Sequence, residues 1–366
     1  MTACAAVPAP PFCPNPLCAF HTGATTSWRW KRDGFHPRGP DRRRVQRYRC
    51  GHCKRSFSDQ TFACTYWLRR PELLIETFEA LVHGTGFRQL ARKHRCSPQT
   101  VQLHAARVGR HCVLFHELHR PKEPPQEALC LDGLRNFEYS QYHPSEMLLV
   151  IGAQSHYTYG FEHAELRRMG TMRSSQKRKR ARLERDHGRP SPRAIRDGVV
   201  RVLGAVAGPA DALVVHSDEH HDYPRAFARL GRLGITHRTV SSRATRTSRN
   251  PLFAVNLMDL LARHCVASMR RETIAFSKTI ASAVLRMWVL VVWRNHCKWF
   301  SERRGGGTPA MRVGIASRRL RAAEVMGRRI FPTRVTLPEL WAAHYGMWLP
   351  TRMVPRARMH RAKYAA

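Results

Sequence analysis

Two pairs of cysteines near the start of the chain constrain its fold more than any other feature. Cys13 and Cys18 have four residues between them, and Cys50 and Cys53 have two. Pairs spaced this closely can turn around one metal ion, so that four thiolates bind a single Zn²⁺ tetrahedrally. The segment between the pairs is too short and polar to build a core, and a metal can replace that core. We therefore predict a structural zinc ribbon over residues 1–62.

The chain also carries a large excess of positive charge. Its 366 residues include 63 lysines and arginines against 26 acidic residues, which gives a formal net charge of +37. An excess of this size indicates a polyanionic partner. The sequence shows no signal-peptide pattern and no apolar run long enough to span a membrane. We therefore expect a cytoplasmic, nucleoid-associated protein whose partner is nucleic acid and not a membrane.

A helical pattern follows the ribbon and is interrupted just before Pro98. Ser97 is a suitable N-cap, and Pro98 a suitable first residue, for a second helix with polar side chains. A short helix, a tight turn and a second helix form the helix-turn-helix pattern, for which an ordinary helical hairpin is the alternative. Because the pattern directly follows a basic ribbon, we interpret residues 63–121 as a helix-turn-helix DNA-binding region.

The pattern changes again after a Pro-rich linker at residues 122–127. Residues 128–165 have the pattern of two or three adjacent strands. A helix, an apolar strand ending at Asp218, a short strand and two long helices follow. This order predicts an α/β fold, with a mixed sheet and helices resembling ribonuclease H, over residues 122–304. Residues 305–366 form a basic C-terminal extension.

Three basic segments of this half of the chain are candidates for holding a phosphate backbone. They are the insert at 167–193, the stretch at 243–249 and the C-terminal tail. The insert is predicted to be either a solvated loop or a helix that becomes ordered on DNA. Together with the ribbon and the second helix, it supplies the predicted DNA contacts: Arg47, Arg49, Lys54, Arg55, Gln99, Thr100, Gln102, His104, Lys177, Arg178, Lys179 and Arg180.

Two acidic residues stand at the ends of apolar strand patterns. Asp132 follows the apolar run that starts the first strand, and Asp218 closes a later strand. Carboxylates from two neighbouring strands can bind a pair of Mg²⁺ ions, as phosphoryl transfer requires. The alternative is that both residues end their strands as ordinary turn residues. The pattern alone leaves the two interpretations open.

The order of these parts resembles that of bacterial insertion-sequence transposases of the DDE type. The motifs that carry the resemblance are QRYRCGHCKRSFS at 46–58, HSDEHHDYPRA at 216–226, NPLFAVN at 250–256 and RRETIAFSK at 270–278. The resemblance implies a metal-dependent nuclease and strand transferase. Such an enzyme cuts double-stranded DNA at transposon ends and joins the exposed 3′-hydroxyl to target DNA. It also implies at least a homodimer on the DNA.

The resemblance further implies three site residues that bind Mg²⁺ or Mn²⁺. Asp132 is the first and Asp218 the second, and the position where the family usually has glutamate falls on Asn256. An asparagine oxygen can bind the metal, but it is neutral and cannot act as a base. Asp259, near the same helix face, is the alternative third ligand, and Glu272 is a weaker one.

Two other functions compete with a transposase. A chain in which neither third ligand works would be a DNA-binding regulator, using the ribbon and the helix-turn-helix without any chemistry. A zinc-ribbon protein that binds RNA is the weaker alternative, because the sequence has no aromatic run of the kind that RNA-recognition motifs use.

Overall fold

The computed structural model describes residues 9–39, 41–303 and 305–354. The part of the basic tail from 355 to 366 lies outside these ranges. The described strands are β1 (Trp30–Pro37), β2 (Arg44–Cys50), β3 (Ser56–Ser58), β4 (Leu129–Phe137), β5 (Pro144–Gly152), β6 (Thr158–Glu165), β7 (Ala212–Ser217) and β8 (Gly234–Thr239). The described helices are α1 (Ala19–Thr22), α2 (Leu73–Val82), α3 (Phe87–Lys93), α4 (Pro98–His119), α5 (Ser174–His187), α6 (Ala194–Ala207), α7 (Asp222–Phe227), α8 (Phe253–Cys265), α9 (Ile280–Val292), α10 (Pro309–Arg312), α11 (Ala322–Val325) and α12 (Glu339–Gly346).

The N-terminal part is a three-stranded antiparallel sheet in the order β1-β2-β3. Its small core is aromatic, because buried Tyr48 meets Trp30 edge-on and stacks against Phe57. Strand β2 ends at Cys50, so the sheet carries the second cysteine pair at its end. The predicted ribbon is therefore built on strands that are close to one another in the sequence.

The turn between α3 and α4 lies where the sequence predicts it. The Ser97 hydroxyl accepts a hydrogen bond from the Gln99 N–H at 3.1 Å, and Pro98 is the first residue of α4. Both features are the predicted helix start signals, and both are confirmed. The two helices therefore have the short-helix, turn, long-helix order of the predicted motif.

Helix α4, with 22 residues, is the longest of the described helices. From Val101 onward it buries a continuous face, and it packs closely against α9. Val108, Cys112 and Val113 belong to the same hydrophobic core as the five-stranded sheet. The helix that carries Gln99 and Gln102 is thus also a central helix of the main core.

The main sheet has the strand order β6-β5-β4-β7-β8. Strands β4, β5 and β6 are antiparallel neighbours, whereas β7 and β8 run parallel to β4. Helix α6 covers the face that carries Leu148, since Gly198 of α6 lies directly against that side chain. Trp288 of α9 contacts Phe161 on the opposite face. The fold is therefore α/β, with helices on both faces of a mixed sheet.

The described residues after 305 add to this core. Trp341 of α12 is fully buried and meets Trp288 edge-on, with ring centroids 5.6 Å apart. The segment predicted as a basic extension therefore contributes apolar packing as well as charge. Across the described ranges, no helix combines the length and the apolar character needed to cross a lipid bilayer.

Candidate functional site

The four N-terminal cysteines converge on one point. Their sulfur atoms all lie within 4.8 Å of one another, and the Cys13–Cys53 and Cys18–Cys50 sulfur pairs are 3.6 and 4.0 Å apart. A zinc ion with Zn–S bonds of about 2.3 Å needs a tetrahedron of sulfurs with edges of about 3.8 Å. The donor set and its spacing fit a structural zinc ion, as the sequence predicts.

The surroundings favour the thiolate at Cys50, whereas burial raises the pKa of the Cys13 and Cys18 thiols. The indole N–H of Trp28 donates to the Cys50 sulfur at 3.2 Å. Burial raises the pKa of the Cys50 thiol, but this hydrogen bond and the N–H groups of the Cys50–Cys53 turn outweigh it and bring the pKa to about 6. Since metals bind the thiolate and not the thiol, this lowering prepares Cys50 for a cation.

Asp132 and Asp218 lie on neighbouring strands of the main sheet. Strands β4 and β7 are parallel, and Leu131 pairs with Ser217, so the two aspartates occupy the next position along. Asp132 does not end its strand, because it is the fourth of nine residues in β4. Asp218 does follow the last residue of β7, as predicted. The adjacency comes from the register of β4 and β7, which the sequence did not reveal.

The two aspartates influence each other electrostatically. Burial and, to a smaller extent, the charge of Asp218 raise the pKa of Asp132 to about 6, against a lowering by the Gly133 N–H. The Gly133 N–H donates to the Asp132 carboxylate at 2.7 Å, and the His220 N–H donates to that of Asp218 at 3.0 Å. Both carboxylates thus have fixed orientations.

Helix α8 brings Asp259 into the same electrostatic environment. Burial and then the charge of Asp132 raise the pKa of Asp259 to about 7, against the influence of Arg263. One carboxylate oxygen of Asp259 is buried without a hydrogen-bond partner. This oxygen has no protein partner and is therefore available to a ligand of the site.

Asn256 lies one helical turn before Asp259. It is half-buried, and its side chain has no hydrogen-bond partner among the described residues. Glu272 is exposed and lies seven residues beyond the end of α8 at Cys265. The structure therefore leaves Asn256 and Asp259 as the two candidates for the third position.

Glu146 of β5 is an acidic residue that sequence reasoning missed. It is buried, and burial raises its pKa to about 7 against the influence of Arg135, with a further rise from the charge of Asp132. Gly133 makes room for it, since a Cβ there would lie 1.6 Å from the Glu146 carboxylate. Neighbouring strand residues point to opposite faces, so Glu146 lies across the sheet from the Asp132 side chain. The sequence signal that could have identified Glu146 is a single acidic residue within the apolar strand pattern SEMLLVIG.

The acidic cluster of Asp132, Glu146, Asp218 and Asp259 therefore consists of carboxylates whose negative charges repel one another. Such a group gains from added positive charge, which fits a divalent cation. Its oxygens are more widely spaced than the cysteine sulfurs, because the cysteines are the one group of three or more ligand-type residues within 4.8 Å in the described ranges. Arg246, in the exposed stretch at 243–249, lowers the pKa of both Asp132 and Asp259, so its positive charge lies near the cluster.

The predicted DNA contacts differ in their exposure. Most of them are exposed, Thr100 and Arg180 are half-buried, and His104 is buried. His104 is 3% exposed, and burial lowers its pKa to about 4. It is therefore an uncharged core residue at neutral pH and cannot contact DNA as predicted. The reason is its position three residues after Val101 on the buried face of α4.

The basic insert contains a helix and not a loop. Helix α5 covers Ser174–His187 and has no buried residue. Glu184 of this helix pairs with Arg167, which precedes the helix, at 2.7 Å, and with Arg180 of the same helix at 3.6 Å. The insert thus presents an ordered basic surface before any partner binds.

No protein-family model and no curated protein matches the chain. Among solved structures, the chain is similar to one in the cryo-EM structure of the simian T-cell lymphotropic virus intasome in complex with the PP2A regulatory subunit B56 gamma. The two share 12% sequence identity over 64% of this chain and 70% of that chain, with a TM-score of 0.23. Values this low do not define a common fold.

Proposed function

We propose that this protein is a metal-dependent DNA transposase that binds transposon ends, cuts a DNA strand and joins it to target DNA. The observation that carries the proposal is that Asp132 and Asp218 each lie one position beyond the last paired residues of the parallel strands β4 and β7, and that Asp259 of α8 is close enough for the charge of Asp132 to raise its pKa. Once the helix α5 of the basic insert is set aside, the strand order and the sequence β-β-β-α-β-α-β-α of the core agree with a ribonuclease H-like fold. The net charge of +37 agrees with a DNA substrate.

The proposed roles follow from the geometry. Asp132 and Asp218 hold the metal ions, and Asp259 or Asn256 completes the site. Bound Mg²⁺ or Mn²⁺ would activate the attacking oxygen and stabilise the leaving one. The orphaned oxygen and the raised pKa of Asp259 support the carboxylate over the amide of Asn256. Arg246 and the exposed basic residues of the ribbon, α4 and α5 would hold the phosphate backbone.

The test is a nicking assay with purified protein, Mg²⁺ or Mn²⁺, and DNA that carries the inverted repeats flanking the gene. Asp218→Ala and Asp259→Asn should each lower the nicking rate by more than about 100-fold, a loss that outer-shell partners of a metal can already cause. DNA binding should be retained. Asp211→Asn is the matched control, because Asp211 is exposed and lies at the other end of β7. If Asn256→Ala abolishes nicking and Asp259→Asn does not, the amide is the third ligand.

A DNA-binding regulator without catalysis is the second candidate. It is favoured by the spacing of the carboxylates, none of which forms a group of three within 4.8 Å in the described part of the chain. Wild-type protein that binds the end sequences but nicks no DNA with either metal would establish this function and exclude the transposase.

A further inference from the structure

A basic groove lies between the insert and the loop that follows Asp218. It has a volume of about 710 Å³, and we call it the insert groove. One rim is formed by residues 167–170 of the insert, the other by residues 220–222, and the floor by the starts of β5 and α6. Arg135 of β4 also lines it and pairs with Glu146 of the acidic cluster at 3.5 Å, on the face of the sheet opposite the Asp132 side chain. The groove therefore opens on the Glu146 side of the acidic cluster, and His220 links it to Asp218.

The electrostatics of the groove favour an anionic ligand. Arg168 and Arg189 have no ion pair with any carboxylate in the described residues, and one guanidinium nitrogen of Arg168 is buried without a hydrogen-bond partner. The acid on the rim, Asp222, is already paired with Arg196 at 2.8 Å. Unpaired arginines facing a concave surface are a typical phosphate site.

Arg168 is also held in position before any ligand binds. Its guanidinium lies 4.3 Å from the ring centroid of Tyr142, and the Lys179 ammonium lies 5.0 Å from the same ring. Arg180 donates to the Arg168 carbonyl at 2.8 Å, which fixes the backbone. A cation fixed by a ring and a backbone bond loses little entropy on binding.

The rims offer surfaces on which bases can stack. The rings of His220 and His221 stack on each other with centroids 4.7 Å apart, and His221 is exposed. Met169 on the opposite rim is 72% exposed. Positive grooves with such stacking surfaces are the usual sites for single-stranded nucleic acid. A volume of this size suits a molecule of nucleotide dimensions and not a duplex, whose major groove alone is about 12 Å wide.

We propose that the insert groove binds a short unpaired segment of DNA and leads it to Asp218. The inference rests on the proposed function, because it takes the acidic cluster as the point of cutting. His220 connects the two sites, since its N–H binds the Asp218 carboxylate and its ring lines the groove. The DNA end is thus unpaired next to the bond that is cut, and the released strand lies along Arg168 and Arg189.

The test measures binding without any divalent metal, so that cutting plays no part. The probes are a fluorescein-labelled single strand of about ten nucleotides, within the usual site size, and the corresponding duplex. Fluorescence anisotropy is measured for the double variant Arg168→Ala/Arg189→Ala. The matched control is Arg232→Ala/Arg328→Ala, which removes the same charge from two exposed arginines that lie outside the groove and have no ion pair in the described residues.

The groove variant should bind the single strand at least about tenfold more weakly than the control does. Its plot of log Kd against log salt should be shallower by about 1.4, because each phosphate contact to a single strand contributes about 0.7. Duplex affinity should change little. Tyr142→Ala should weaken the single strand in the same way, and Tyr142→Phe should not, because the ring that holds Arg168 is kept.

Equal affinities and salt slopes for the two double variants would overturn the inference, as would an equal loss for duplex and single strand. Displacement of the probe by polyglutamate of matched charge as readily as by unlabelled single strand would also overturn it, since the groove would then take any acidic chain. Failure of the proposed function looks different. In that case the groove variants lose single-strand binding as expected, but wild-type protein nicks no DNA.

Discussion

Gly109→Ala should destabilise the protein, although alanine is the better helix former. Gly109 lies where α4 crosses α9, and a Cβ there would lie 2.6 Å from the Leu285 Cβ and 2.8 Å from the Leu285 carbonyl oxygen. Carbon atoms in good contact are about 3.5–4.0 Å apart, so the two helices would have to separate by about 1 Å. Neither Leu285 atom can rotate away. Overpacking at such a site costs about 3 kcal/mol, and helix propensity returns about 1 kcal/mol.

The matched control is Gly204→Ala in α6. Gly204 is exposed, and a Cβ there meets nothing within 4 Å. This change should stabilise the protein by about 0.5–1 kcal/mol through helix propensity alone. The two Gly→Ala variants should therefore differ by about 3 kcal/mol in free energy of unfolding.

The assay is urea unfolding followed by tryptophan fluorescence, since Trp288 is buried in α9. With an m-value of about 3 kcal/mol/M, the two midpoints should lie about 1 M apart. If Gly109→Ala stabilises as much as Gly204→Ala does, α4 does not pack on α9 in this way. The helix with the predicted DNA-reading residues would then be separate from the core.

Three further predictions concern protons, metal and salt. The free energy of unfolding should fall as pH drops from 6.5 to 5, because unfolded histidines take up a proton below about pH 6.5, whereas burial lowers the pKa of six buried histidines to about 3–4: His104, His111, His116, His156, His296 and His344. Each costs about 1.4 kcal/mol per pH unit, offset in part by the raised pKa values of Asp132, Glu146 and Asp259, which act in the opposite direction. A urea midpoint that is constant or higher at pH 5 would contradict this. Purified protein should contain one zinc per chain by elemental analysis, Cys50→Ser should lose it, and Cys96→Ser, which removes a cysteine outside the cluster, should keep it. Affinity for duplex DNA should fall by about 10³-fold or more between 50 and 200 mM salt if at least about six phosphates are contacted, and a flat salt dependence would argue against the basic surfaces as the DNA site.

The sequence predicted those features that depend on local chemistry. The spacing of Cys13, Cys18, Cys50 and Cys53 led to the metal cluster, and Ser97 with Pro98 led to the start of α4. Features that depend on distant packing were beyond it. His104 reads as a polar helix residue, and only the contact of α4 with the core shows that it is buried.

The residues of the acidic site show the same difference between local features and features that depend on distant packing. Asp218 at the end of β7 could be inferred, because an apolar run followed by an acid is visible in the chain. Asp132 was expected at a strand end and lies within β4, since the length of a strand depends on its neighbours. Glu146 was missed, because its proximity to Asp132 arises from the pairing of β4 with β5 and from the space above Gly133.

The double role of α4 has a consequence for where DNA would be cut. A DNA-recognition domain joined to a nuclease domain by a flexible linker can bind its sequence while the cutting site moves independently. Here the polar first turn of α4 and its buried remainder belong to one continuous helix. This helix packs against α9 under the sheet that holds Asp132 and Asp218. The protein would then set a fixed distance along the DNA. If the start of α4 reads DNA and the acidic cluster cuts it, helix packing would fix the number of base pairs between the recognised sequence and the broken bond.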